Sequence, residues 1–329
     1  MGWLARGLAV LSLLLPAACV PALHPAGPDR QQPQMLADAL IMADGARLPL
    51  RRWLPPGETR AVVIALHGMN DYSNAYDGPG KVLAGQGLAV FAYDQRGFGQ
   101  TAEPGRWAGS RTLQDDLLTA IRLVSAQAPG KPVFVLGESM GGAVAMTALA
   151  RPDAPKIDGL ILSAPAVWGR RDMGFFQRSL LWLASYTVPW MHLTGSGLKI
   201  MPSDNIEMLR ALGRDPLVIK ETRVEAVHGM VDLMDEAQAA APKLALPVLM
   251  LYGEKDEIIP AAPSLRAAGQ MPGARLALYA RGYHMLMRDL QARTVLDDIA
   301  AWTADAAAPL PSAADRHAGD VLSKGPVTP

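Results

Sequence analysis

The chain has 329 residues, half of them hydrophobic, and its 31 Lys and Arg residues are matched by 31 Asp and Glu residues. A chain of this length can form one large α/β domain or two ordinary domains, and its apolar content is sufficient for a sizeable core. The balanced charge and the lack of a basic stripe argue against a nucleic-acid-binding protein.

Residues 1–18 have the features of an export signal. Arg6 supplies positive charge, residues 8–15 form a short apolar run, and small residues follow it. The apolar run is too short to span a bilayer. Cys19 comes directly after the small residues and is the only cysteine of the sequence, so no internal disulfide can form.

This beginning resembles a bacterial lipoprotein signal, in which the cysteine becomes the lipidated first residue of the mature chain. Pro16 departs from the pattern, since such signals usually carry an aliphatic residue there. The resemblance implies an exported protein of the bacterial cell envelope, anchored to a membrane surface at Cys19. The alternative is ordinary secretion as a soluble periplasmic or secreted protein, with Cys19 incidental.

The next segments predict a linker and then a β-rich beginning. Residues 19–33 are rich in Pro and polar residues, as in a linker. Residues 36–42 and 47–53 are strand-like, and the Asp44-Gly45 pair between them predicts a hairpin. Six further strands are predicted from apolar runs, at residues 61–66, 88–93, 133–136, 160–162, 248–252 and 275–279.

Helical periodicity alternates with these strands. Residues 113–126 place four apolar side chains on one face, and a last helix is predicted at about 291–304. The alternation predicts an α/β fold with a mostly parallel, eight-stranded sheet flanked by helices, formed by residues 34–165 and 244–304. The Ala- and Pro-rich residues 305–329 lack apolar periodicity and predict a disordered tail.

Residues 166–243 interrupt the alternation and contain no convincing strand. Helical patterns occur near residues 205–212 and 221–238, so the segment predicts a helical cap over the carboxyl edge of the sheet. Its first part is rich in apolar side chains, which could wall an apolar pocket, touch a membrane or pack the cap onto the body. These are Trp168, Phe175, Phe176, Leu180, Leu181, Trp182, Leu183, Tyr186, Trp190 and Met191.

The clearest chemical motif is G-x-S-x-G at residues 137–141, between a predicted strand and a predicted helix. A serine there lies on a sharp turn that presents its hydroxyl above the sheet. The hydroxyl needs a nearby base, and the base needs an orienting carboxylate. Asp256 and His284 each follow a later strand, in the expected chain order. We therefore predict a catalytic triad of Ser139, Asp256 and His284.

Other residues of the same types compete for these roles. Glu254 lies two residues before Asp256, which is preferred because it completes a Gly-x-x-Asp turn. His24 lies in the linker, and His192 and His228 lie in the cap. We interpret these three histidines as surface or packing residues.

A reaction at such a serine also needs donors for a developing oxyanion, usually two backbone N–H groups. Met140 follows the nucleophile and supplies the first. Met69 lies in the turn after the predicted strand 61–66 and supplies the second. His67, in the same turn, is interpreted as structural and not as a second base.

No cofactor or metal is predicted. Residues 94–99 follow a strand and contain G-x-G, but they lack the third glycine of a dinucleotide fingerprint. We instead assign Asp94 and Arg96 to bracing this loop. The sequence contains neither H-E-x-x-H nor a Cys/His ligand cluster.

Taken together, these motifs resemble the α/β-hydrolases, and within them the monoacylglycerol lipase and lysophospholipase branch, often labelled serine aminopeptidase-like. The exported beginning and the long tail depart from that branch. The resemblance covers residues 36–302 and rests on segments 67–69, 93–99, 137–142, 253–256 and 282–284, with 203–205 and 214–217 in the cap.

The resemblance implies hydrolysis of a small-molecule acyl ester, such as a monoacylglycerol or lysophospholipid, through an acyl-enzyme on Ser139. A serine aminopeptidase-like activity is one alternative, because Asp204 and Glu207 in the cap could favour a peptide amine. A non-catalytic lipoprotein that binds acyl ligands is another, and the complete set of triad residues argues against it.

Overall fold

The computed structural model describes residues 21–195, 197 and 199–323. The export signal and Cys19 lie outside the described residues, as does the end of the tail from residue 324. The predictions made for those segments therefore remain predictions.

The core of the fold is a single sheet of nine strands. The strands of the described chain are β1 (Gln34–Met35), β2 (Ala39–Ile41), β3 (Arg47–Trp53), β4 (Ala61–Leu66), β5 (Leu88–Tyr93), β6 (Val133–Glu138), β7 (Gly159–Ser163), β8 (His192–Thr194), β9 (Glu221–Arg223), β10 (Val248–Gly253) and β11 (Ala274–Tyr279). The large sheet has the order β1-β2-β3-β5-β4-β6-β7-β10-β11. From β5 to β11 all neighbours are parallel, whereas β1, β2 and β3 pair antiparallel. The prediction of a mostly parallel sheet is confirmed.

The predicted count of eight strands is wrong by one. The first predicted strand, residues 36–42, is only β2, and the short β1 precedes it and pairs with it, with Gln34 opposite Ile41. The chain reverses between them because the Leu36 N–H donates to the Ala39 carbonyl at 2.8 Å, closing a tight turn.

Helices cover both faces of the sheet. Those of the described chain are α1 (Asp77–Gly85), α2 (Ser110–Ser125), α3 (Met140–Leu149), α4 (Phe175–Thr187), α5 (Ile206–Arg214), α6 (Val224–Ala240), α7 (Ala261–Gln270), α8 (Ala292–Ala304) and α9 (Ala314–Ser323), with short 3₁₀ helices at Ser73–Tyr76 and Ala241–Lys243. Along β4, Val62 and Ile64 pack toward α2 and α3, while Val63 and Ala65 pack toward α1 and α8. Burial on both faces explains why the strands are uninterrupted apolar runs.

The cap contains helices α4, α5 and α6, but it is not purely helical. Strands β8 and β9 form an antiparallel pair with His192 opposite Arg223, which the sequence analysis missed. Helix α4 lies largely in solvent: Phe176 is 84% exposed and Trp182 is 61% exposed. Phe176 and Trp182 therefore do not pack the cap onto the body, whereas Trp168 and Leu181 are partly buried against the core. None of the helices in the described ranges is long and apolar enough to cross a membrane.

The linker has no helix or strand over its described residues, yet it lies against the body. The His24 N–H donates to the Trp107 carbonyl at 2.8 Å, and the Arg30 N–H donates to the Ala43 carbonyl at 2.7 Å. The segment from residue 21 to 33 is therefore held on the surface of the core.

The prediction of a disordered tail is wrong for residues 305–323. Helix α9 packs beside β11, and Leu310, Ala314 and Ala318 are buried. Asp298 of α8 also accepts hydrogen bonds from the Tyr279 hydroxyl and from Ser312. Alanine side chains pack closely but are only weakly hydrophobic. The apolar periodicity of α9 is therefore weak in the sequence, and the helix was not predicted.

Ending the chain after Ala304 should lower its free energy of unfolding by about 2 kcal/mol or more, since burying one leucine alone contributes roughly 1.5–3 kcal/mol. Urea unfolding of the truncated and full chains measures the difference. A chain that ends after Ser323 is the control and should match the full protein. Equal stability of all three would show that the tail contributes nothing.

Candidate functional site

Ser139 occupies the turn between β6 and α3 with a strained backbone. Its φ is +53° and its ψ is −116°, a region that residues other than glycine rarely adopt. A Cβ on Gly137 would lie 2.5 Å from the Gly141 carbonyl oxygen, and one on Gly141 would lie 2.3 Å from the Leu66 carbonyl oxygen. Only glycine fits both positions, so the motif fixes the turn sterically.

Asp256 and His284 form a buried pair. The Nδ1 atom of His284 lies 2.8 Å from Oδ2 of Asp256, and the two side chains are 6% and 0% exposed. The other carboxylate oxygen accepts the N–H groups of Ile258 and Ile259 at 2.8 and 3.0 Å. Because an ionised carboxylate only accepts hydrogen bonds, Nδ1 carries the imidazole proton and Nε2 is left to act as a base.

The residues that competed for these roles have other partners. Glu254 pairs with His317 of α9 at 3.1 Å. His228 pairs with Asp232 at 3.3 Å, and His24 lies 3.1 Å from a glutamate of a neighbouring loop. His192 lies in the exposed strand β8. Within the described chain, the carboxylate that contacts His284 is that of Asp256.

The three predicted triad residues follow β6, β10 and β11, which are parallel and lie within four adjacent positions of the sheet. Their loops therefore meet at one carboxyl edge. Among the described residues, no hydrogen bond joins the His284 ring to the Ser139 hydroxyl. The contact between nucleophile and base often tightens only when substrate binds.

The turn that carries Met69 borders the serine. A Cβ on Gly68 would lie 3.3 Å from the Ser139 Cβ. No hydrogen bond from the Met69 N–H is present among the described residues. Met140 begins α3, so its N–H has no acceptor within the helix and lies at the positive end of the helix dipole. Two backbone donors beside the serine are therefore unengaged in the described chain.

His67 has a structural role, as the sequence analysis inferred. Its Nδ1 atom lies 2.8 Å from the Gly68 carbonyl oxygen, and its Nε2 atom accepts the Gln95 N–H at 3.0 Å. The residue is fully buried, and burial lowers the pKa of its ring, which keeps it neutral. Both ring nitrogens are engaged, so His67 is not a second base.

The loop after β5 is braced by the two residues assigned to that task. Arg96 pairs with Asp44 of the hairpin and with Asp116 of α2, both at 2.6 Å. Asp94 accepts the N–H groups of Ser73 and Gln100, both at 2.9 Å. These contacts tie the hairpin and α2 to the centre of the sheet.

A buried ionic cluster next to the site was missed by the sequence analysis. Arg288 binds Asp71 through Nη1 at 2.7 Å and Glu138 through Nη2 at 3.0 Å, and all three side chains are less than 10% exposed. Burial by itself would lower the pKa of the guanidinium, but the two carboxylates reverse this and raise it above its ordinary value. The one feature of the sequence that pointed to this cluster is the position of Glu138, which immediately precedes Ser139 in the motif.

A second missed feature is a strap from the cap, residues 202–205, bound to the loop that carries His284. Asp289 accepts the Ser203 hydroxyl at 2.6 Å and the Tyr283 N–H at 2.8 Å. The Met285 N–H also donates to Pro202 at 3.0 Å. Burial raises the pKa of Asp289 to about 6, although the hydrogen bonds from Ser203 and Tyr283 oppose the shift.

A cavity of about 430 Å³ lies between α5 of the cap and the helices α1 and α8 of the body. Arg288, Asp71 and Asp289 contribute to its wall, but Ser139 and His284 do not. The cavity therefore borders the ionic cluster, and Ser139 and His284 lie outside its lining.

The chain has recognisable relatives. The family model described as "Serine aminopeptidase, S33" matches residues 57–291. The chain is 30% identical to monoglyceride lipase of Rattus norvegicus over 273 residues, covering 80% of this chain and 88% of that protein. It is 26% identical to monoacylglycerol lipase of Mycolicibacterium smegmatis over 274 residues, covering 78% and 93%.

Solved structures show the same fold. The monoacylglycerol lipase of Paleococcus ferrophilus superimposes with a TM-score of 0.64 at 24% identity, covering 78% of this chain and 98% of that one. A soluble variant of monoglyceride lipase from Saccharomyces cerevisiae, in complex with a substrate analog, gives a TM-score of 0.68 at 21% identity, covering 87% and 98%. The architecture is that of the α/β-hydrolases, as the sequence predicted.

The raised pKa of Asp289 makes stability depend on pH. Between its unfolded pKa of about 4 and its folded value of about 6, the folded state binds the extra proton, so this group lowers stability as pH rises. Asp289→Asn should remove this component, and the variant should gain stability relative to the wild type as pH rises from about 4 to about 6.

Urea unfolding at a series of pH values measures this difference. Asp29→Asn, at an exposed position of the linker, is the matched control and should follow the wild-type curve. Parallel curves for Asp289→Asn and the wild type would contradict the prediction.

Proposed function

Because the chain belongs to the serine aminopeptidase S33 family of hydrolases, we propose that it hydrolyses acyl esters such as monoacylglycerols or lysophospholipids. The observation that carries the proposal is the buried His284–Asp256 hydrogen bond at the same sheet edge as the strained Ser139. The names of its relatives, monoglyceride lipase and monoacylglycerol lipase, support the ester class.

In the proposed reaction, the Ser139 oxygen bonds to the ester carbonyl carbon while its proton passes to Nε2 of His284. Asp256 holds the ring and stabilises the imidazolium that forms. The carbonyl oxygen becomes an oxyanion that accepts the N–H groups of Met69 and Met140, each of which lowers the barrier by about 3 kcal/mol.

The intermediate then breaks its bond to the alcohol oxygen, and the alcohol leaves with the proton from His284. Water attacks the acyl-enzyme, and His284 takes one of its protons and returns it to the Ser139 oxygen. The acid is released and the enzyme is regenerated, so no cofactor is consumed.

The cap favours a lipid substrate over a peptide. Its helix α4 exposes Phe175, Phe176 and Trp182, an apolar surface suited to acyl chains. Of the acidic groups that could attract a peptide amine, Asp204 already accepts the Leu290 N–H at 2.9 Å. We therefore rank an aminopeptidase-like activity second, supported by the description of the family model.

Replacing Ser139 by Ala should lower ester hydrolysis by at least about 10,000-fold, because the covalent route is lost. Circular dichroism should show an unchanged fold. Labelling by a fluorophosphonate should disappear as well, whereas the control Ser125→Ala, at the end of α2, should be labelled like the wild type. Hydrolysis that survives in Ser139→Ala would exclude the proposed nucleophile.

A substrate panel separates the two activities. Monoacylglycerols and lysophospholipids of several chain lengths are compared with aminoacyl amides under the same conditions. We expect kcat/KM to be higher for the esters. A higher kcat/KM for the amides would instead favour the aminopeptidase-like activity. Binding of the esters without cleavage would indicate a non-catalytic carrier.

We further propose that the mature protein is exported and lipidated at Cys19, which would place it on a membrane surface of the bacterial cell envelope. Support comes from the apolar run at residues 8–15 and the small residues before the cysteine. The described part of the linker lies on the body, so lipidation would also bring the core close to the lipid.

Mass spectrometry of the protein purified from an exporting bacterial host tests the anchor. The mature chain should begin at a diacylglyceryl-modified Cys19, and Cys19→Ser should leave the membrane fraction. An unmodified N-terminus at any other residue would refute lipidation.

A further inference from the structure

Arg288 connects three loops that the proposed function assigns to the active site. It lies four residues after His284, and its two partners lie in the other two loops. Glu138 is the residue before Ser139, and Asp71 is two residues beyond Met69. One side chain therefore bridges the base loop, the nucleophile turn and the oxyanion turn.

The ionic cluster of Arg288, Asp71 and Glu138 is poorly explained as a contribution to the stability of the folded state. Two carboxylates share one cation in a buried place, and Nε of Arg288 has no hydrogen-bond partner among the described residues. Removing such charges from water costs much of what their attraction returns. In some proteins such buried ionic groups instead fix a specific geometry.

The contacts leave little freedom to each loop. The guanidinium is a planar fork, and its two Nη atoms point to different loops at 2.7 and 3.0 Å. On the oxyanion side, the Asp71 N–H donates to the Gly68 carbonyl at 3.3 Å, so the carboxylate is tied directly to that turn. On the nucleophile side, Glu138 ends β6 and precedes the strained residue.

We propose that Arg288 is a positioning residue, which sets the distances between the nucleophile, the base and the oxyanion donors by holding Asp71 and Glu138 at once. This inference rests on the proposed ester hydrolysis. The residue touches neither the substrate nor the reacting atoms. It acts through the backbone of the loops, and an error of about 1 Å in such positions can cost about 100-fold in rate.

The first test is Arg288→Ala, measured with a soluble p-nitrophenyl acyl ester. We expect kcat to fall by about 100-fold with KM unchanged, because the acyl site itself is not altered. The rate of fluorophosphonate labelling should fall in parallel. Arg293→Ala is the matched control, since Arg293 borders the same cavity but pairs with Asp297 on the exposed face of α8. It should keep the wild-type kcat.

Added guanidinium ion distinguishes a positioning role from a purely structural one, because only a positioning role predicts that the ion restores kcat. The cavity is lined by Arg288 and Asp71, so the ion can enter it and reach the space that the substitution empties. Guanidinium at concentrations that do not denature the wild type should raise the kcat of Arg288→Ala, and it should leave the wild type and Arg293→Ala unchanged.

If the alanine variant does not fold, Arg288→Lys tests the positioning role of Arg288. Lysine keeps the charge but replaces the fork by a single ammonium, so it cannot reproduce both contacts. An intermediate kcat at a wild-type thermal midpoint supports the proposal. A wild-type kcat in Arg288→Lys, or in a folded Arg288→Ala, overturns it. Fluorophosphonate labelling of the wild type reports separately on the proposed function, so failure of either idea is recognised on its own.

Discussion

The close approach of the α3 backbone to the end of β4 is the constraint on which the site depends. Any side chain at Gly141 would collide with the Leu66 carbonyl, so the strand-to-helix turn closes only with glycine there. This closure forces Ser139 into positive φ. The same end of β4 continues directly into the turn that carries Met69. One steric contact therefore positions both Ser139 and the turn that carries Met69, and the surrounding core offsets the cost of the strain.

The parts of the fold that obey short-range rules could be predicted from the sequence. Strands β4 and β5 begin and end at the predicted residues, because each is an uninterrupted apolar run buried on both faces. The contact between Asp256 and His284 could be predicted because loops at the carboxyl ends of parallel strands share an edge. The Asp44-Gly45 turn likewise marked the start of β3.

What the sequence did not reveal depends on contacts between distant segments. Arg288 lies 150 residues from Glu138 and 217 from Asp71, and no periodic pattern links such positions. Strands β8 and β9 have three residues each and mostly solvent-facing side chains, so they lack the alternation that marks a half-buried strand. The α9 contact depends on alanines, whose burial is decided by the shape of the partner surface more than by hydropathy.

The described chain combines tightly connected loops with a loosely packed cap helix. Ionic contacts of Arg288 connect the loops of Ser139, Met69 and His284, and groups held in place in this way need not reorganise during a reaction. Helix α4, in contrast, has a single buried residue, Ser185. Conformational freedom should therefore be concentrated in α4, which has little packing to lose when it moves. This division suits a hydrolase, because segments that move when substrate enters or product leaves can do so while the reacting groups stay in place.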